Sequence, residues 1–141
     1  MEFIDKFTEE SLEIQYILNK INTLTPFGKM YKEKIRPFLP GEEEKLREEL
    51  NKTEIYMEYA KERQFTREIN NIFYHIKDLR QSVKKANADG ILSEVELFEL
   101  KQFLFLIRDL DNLLNKYNIP LWGDMEIKPI EQLEKLLDPE D

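Results

Sequence analysis

The stretch that most constrains this chain runs from Ser93 to Lys116. Ser93 and Glu96 are spaced as a capping box, in which hydroxyl and carboxylate each take a backbone N–H that a first helical turn leaves without a partner. Behind that start, Leu97, Leu100, Leu104, Ile107 and Leu114 follow helical spacing on one stripe. Phe98, Phe103, Phe105, Leu106, Leu110 and Leu113 widen the stripe over much of the circumference. A helix this apolar has to be packed on more than one side. It is expected to be the long central element, and the rest of the chain must supply what covers it.

Helix signals are dense elsewhere. Thr8 can cap a helix to about Asn22, with Leu12, Tyr16, Ile17 and Ile21 on its stripe. Thr25-Pro26 pairs a capping hydroxyl with Pro at the first helical position, and Pro37 ends the run of Phe27, Met30, Tyr31 and Ile35. After the Pro40-Gly41 turn, Leu46, Leu50, Thr53, Met57 and Ala60 predict a core stripe on a helix reaching about Arg63. A shorter helix is marked by Ile69, Ile72, Phe73 and Ile76, and Asp78 is placed to cap another carrying Leu79, Val83 and Ala86. A last helix is predicted from Pro129 through Ile130, Leu133 and Leu136-Leu137, with Pro139 ending it. The expectation is an all-α, irregular multi-helix bundle of about six or seven helices in a single domain spanning residues 1–141. No alternation supports a sheet.

Charge and composition exclude several functions. Twenty-nine acidic against 21 basic residues leave a net charge of −8, and the cations are interleaved with acids, so a basic nucleic-acid footprint is missing. The absence of cysteine removes disulfides, thiolate metal sites and cysteine nucleophiles. No apolar run approaches the ~20 residues of a membrane span, and Met1–Thr8 lacks the pattern of a signal peptide. A cytoplasmic protein is expected.

One segment points to a different class. Lys85–Glu96 (KANADGILSEVE) aligns with an EF-hand calcium loop, with Asn87, Asp89 and Glu96 at ligand positions and Gly90 at the sharp turn. Lys85, however, stands where the first carboxylate belongs, and an ammonium there repels the ion. The same residues also read as ordinary turn and cap chemistry between two helices. A degenerate EF-hand-like binding or regulatory protein is the alternative, with Asn87, Asp89 and Glu96 as its weak calcium set.

Other candidates have plainer explanations. His75, the only histidine, is expected to be a half-buried helix residue. Glu9-Glu10 and Glu42–Glu44 suit helix first turns, and Trp122 suits a loop anchor. Gly28-Lys29 lacks the spacing of a phosphate loop. No catalytic, cofactor or metal residue is assigned from the residues alone.

Taken in order, Leu18–Lys29 (LNKINTLTPFGK), Arg36–Glu54 (RPFLPGEEEKLREELNKTE), Asp78–Ala86 (DLRQSVKKA) and Asp89–Leu104 (DGILSEVELFELKQFL) form a recognisable series. It resembles the N-terminal part of the MutS core and lever domain. The likeness is greatest to the bacterial branch that begins directly with this domain and lacks the mismatch-recognition domain. Asp89, where that branch often has Gly, and the aromatic, acidic stretch Met57–Phe73 depart from it. The resemblance implies a fragment of a DNA mismatch repair or recombination ATPase, homodimeric when full-length. ATP and magnesium would bind a C-terminal ATPase domain outside these residues, and DNA would bind only the complete protein. This segment would be a non-enzymatic scaffold linking nucleotide state to the DNA-encircling arms, with an exposed apolar surface for its neighbours. No functional residue carries over.

Overall fold

The computed structural model describes residues 14–121. Among them lie six α-helices and no strand: α1 (Ile14–Lys20), α2 (Pro26–Glu33), α3 (Glu43–Ala60), α4 (Arg63–His75), α5 (Arg80–Asn87) and α6 (Glu94–Lys116). The all-α, multi-helix class is as expected. The start of the predicted Thr8 helix, Trp122 and the Pro129 helix lie outside the described residues. The chain divides into two compact units, residues 1–36 and 37–141.

In the first unit the Thr25-Pro26 signal does what it promised. Thr25 is extended, its Oγ1 accepts from the Gly28 amide at 2.9 Å, and Pro26 opens α2. A Cβ on Gly28 would stand 3.1 Å from that Oγ1, so a larger residue there would crowd the cap. In α1, the Lys20 ammonium lies 4.9 Å from the Tyr16 ring centre.

In the second unit α4 packs between α3 and α6. Phe65, Ile72, Leu113, Leu114 and Ile119 form the buried cluster, and Tyr56, Tyr59, Ile69, Phe73, Leu106, Leu110 and Tyr117 pack against it. Burying each large apolar side chain contributes about 1.5–3 kcal/mol. The Phe65 and Tyr117 rings meet at 5.1 Å and 59°. Lys116 pairs with Glu68 at 3.0 Å, joining α6 to α4 on an exposed face where such a pair contributes little. Past α6, Asn118 turns left-handed (φ 50°), its amide donates to Asn115 O, and the Ile119 amide donates to Leu114 O at 2.9 Å. This is a Schellman ending, and it folds Ile119 back onto the core.

Three expectations need correction. The stripe predicted to bury α3 faces solvent: Leu50 and Met57 are each 60% exposed and Leu46 is exposed as well. The helix docks instead through its aromatic side, where Tyr56 Oη donates to Pro120 O at 2.9 Å and Tyr59 Oη to Asn118 O at 3.2 Å. Carbonyls left over by the Asn118 turn thus select the tyrosines. Secondly, α3 ends at Ala60 rather than near Arg63, and Arg63 already opens α4, because Glu62 caps it by accepting from the Gln64 amide at 3.2 Å. Finally, His75 is exposed at the end of α4, with its Nδ1 2.7 Å from Asn71 O. A carbonyl can only accept, so the proton of that bond sits on Nδ1.

Candidate functional site

The calcium-loop candidates fall at the α5–α6 junction. Helix α5 continues through Asn87, so Lys85 and Asn87 belong to its last turn rather than to a loop. Asp89 adopts a left-handed backbone (φ 55°), its amide donates to Ala86 O at 3.1 Å, and the Gly90 amide donates to Lys85 O at 2.9 Å. The junction is therefore a second Schellman ending. A Cβ on Gly90 would lie 2.8 Å from Lys85 O, which accounts for glycine there.

Glu96 is committed to the cap. Its Oε2 accepts from the Ser93 amide at 2.7 Å, the Ser93 hydroxyl at 2.9 Å and the Lys85 ammonium at 2.8 Å, while the Glu96 amide donates to Ser93 Oγ at 3.3 Å. The Lys85 ammonium, then the Ser93 amide and hydroxyl, hold the Glu96 carboxyl down at about 2. The cation that spoils the calcium loop is thus a clasp between the two helices. No three His, Cys, Asp or Glu side chains gather as a metal site among the described residues. Upstream, Arg80 grips Asp78 through Nε at 2.8 Å and its backbone amide at 3.1 Å, holding that carboxyl at about 2.

Among the described residues, a concave surface lies beside the first turns of α6. A groove of about 420 Å³ is lined by Val95, Phe98, Gln102, Phe103 and Leu106, with His75, Lys77 and Glu99 at its edge. Lys77 pairs with Glu99 at 2.8 Å. Phe98 is 61% exposed and Val95 more so. In the sequence Phe98 reads as part of a wide core face, and nothing local distinguishes it from Leu104. The groove offers apolar contact and one neutralised ion pair. It holds no nucleophile–base pair. No described helix is long and apolar enough to cross a membrane. The chain matches no protein-family model, no curated protein and no solved structure.

Proposed function

We propose that this chain is a helical scaffold module that acts by docking rather than by chemistry. We assign it to the N-terminal part of the core and lever domain of a MutS-like DNA mismatch repair or recombination ATPase. The observation that carries the docking reading is the uneven covering of α6. Leu104, Leu113 and Leu114 are buried, while the first turns offer Phe98 and Val95 beside a groove. Apolar surface of this kind marks an interaction site. The MutS-like assignment is supported by the order of the four segments from Leu18 to Leu104. In this reading the module transmits position: it links a C-terminal ATPase, which binds ATP and magnesium, to arms that close on DNA in a homodimer.

The natural reading frame provides the test. Downstream of Asp141 it should encode a long amphipathic helical region and then G-x-x-x-x-G-K-[ST]; a stop codon there overturns the MutS-like assignment. The chain alone should not hydrolyse ATP, and at physiological salt it should bind duplex DNA weakly or not at all. Turnover by the chain alone would defeat the scaffold reading. Calorimetry with calcium on the wild type and on Lys85→Asp tests the EF-hand alternative, and heat of binding in the wild type would favour it over the scaffold.

A further inference from the structure

The outer face of α4 carries an open hollow of about 360 Å³, lined by Ala60, Arg63, Thr66, Arg67 and Asn70. The last four recur at helical spacing and share one side of the helix, turned away from the buried Phe65 and Ile72. Two arginines four residues apart on a helix repel each other, and a carboxylate beside them would offset that. None takes the place. The three carboxylates nearest in sequence are committed elsewhere. Glu58 pairs with Lys61, and Glu62 caps α4 by accepting from the Gln64 amide at 3.2 Å. Glu68 accepts from Lys116 at 3.0 Å and from the Gln64 side chain at 2.8 Å. The Gln64 side chain, then Lys116, hold the Glu68 carboxyl below its ordinary value, and Arg67 contributes least. Neither Arg63 nor Arg67 forms an ion pair with a described residue. A chain with 29 acidic against 21 basic residues thus leaves two guanidiniums side by side without a counter-ion.

The lining of the hollow narrows the ligand. Thr66 already donates its hydroxyl to Ala60 O at 3.0 Å, so the donors left to a ligand are the two guanidiniums and the Asn70 amide. Two unpaired positive charges repel a cation, and Ala60, the one apolar side chain of the lining, gives an apolar group little to bury against. A guanidinium fork matches an oxyanion through two parallel N–H bonds. A carboxylate has two oxygens and satisfies one fork. A phosphate group presents three strong acceptor oxygens and up to about two negative charges, enough for both.

We infer that Arg63 and Arg67, with Asn70, form a phosphate-binding site on the outer face of α4. This inference does not depend on the repair assignment, and it concerns a different surface from the α6 groove.

The test uses the full chain at constant ionic strength, set with chloride, because exposed charges are screened by salt. Inorganic phosphate is titrated while the arginine Nε–Hε resonances of the isotope-labelled protein are followed. Arg63 and Arg67 should shift together along one saturating curve. Arg47, in the first turns of α3 and far from Ala60, should not follow. Arg67→Gln should weaken phosphate by about tenfold or more, and Arg67→Lys, which keeps the charge and loses the fork, by a smaller factor. Both arginines are exposed and Gln is a comparable helix former, so the fold is not at stake. Arg47→Gln removes the same charge elsewhere and should change the affinity by less than about twofold. Phenyl phosphate as a second titrant separates two sources. Saturation by both ligands assigns the site to a phosphate group carried on a larger molecule, and saturation by inorganic phosphate alone assigns it to the free ion. Shifts that never saturate, or that Arg47 shares, would reduce the effect to general screening, and the inference would fail. Equal losses in Arg67→Gln and Arg47→Gln would overturn it as well. A poly-Glu peptide that shifts Arg63 and Arg67 at lower concentration than phosphate would give the pair to an acidic protein partner instead.

Discussion

At its C-terminal end α6 is gripped by burial. Leu113, Leu114 and, past the turn, Ile119 lie with Phe65 and Ile72, and tyrosines from α3 close over the turn. At its N-terminal end the same helix is held by polar groups near in sequence: Ser93 and Glu96 cap each other, and Lys85 clasps Glu96. No side chain is completely buried among the described residues, so the apolar grip is itself thin. The contrast teaches where stability and availability sit. The buried end fixes the helix in place. The capped end keeps its helical form without being covered, which leaves Phe98 and Val95 open to a neighbour.

The largest test of this contrast is a pair of truncations. Leu114→Ala should cost about 2–5 kcal/mol, because it leaves a cavity in a core with little else to fill it. Phe98→Ala should stay within about 0.5 kcal/mol. Urea denaturation of the two variants checks this, and equal costs would erase the distinction between the ends. Next in size, Ser93→Ala should cost about 1 kcal/mol by removing the cap, with faster amide exchange in the first turn of α6 and no change near Leu113. A smaller and opposite effect is expected of Asp89→Gly. It relieves a left-handed non-glycine residue and should stabilise the fold by about 0.5 kcal/mol in the same urea assay.

Acid should loosen the capped end. The Glu96 carboxyl lies at about 2 in the fold against an ordinary 4.5. A lowered folded value means that its contribution is complete above about 4.5 and disappears as pH falls through about 2. Asp78, held at about 2 by Arg80, follows the same course. The thermal midpoint should therefore decline over that window. In Lys85→Met the decline should be shallower, because only the Asp78 part and the Ser93 part of the Glu96 effect remain; an unchanged slope would deny Lys85 its role as a clasp.

What the sequence disclosed was local. The caps at Thr25 and Ser93 are legible because donor and acceptor stand three residues apart, and the all-α class follows from helical spacing repeated along the chain. The docking side of α3 was not legible. Its Leu and Met residues outrank tyrosines on apolarity, yet the tyrosines win because the turn at Asn118–Pro120 offers carbonyls that only hydroxyls can use. The break at Lys61–Glu62 contains neither Gly nor Pro to announce it. Lys85 showed in the sequence as an obstacle to calcium. That its ammonium would reach Glu96, eleven residues on, required the path of the turn.

The two tyrosine bonds also bear on the order in which the second unit assembles. Tyr56 and Pro120 are 64 residues apart in sequence, and Tyr59 and Asn118 are 59 apart. Closing loops of that length costs chain entropy before any contact returns it. The Schellman endings and the capping box close within a few residues and form on the timescale of a helix turn. Helix α3 is therefore expected to dock last and to detach first.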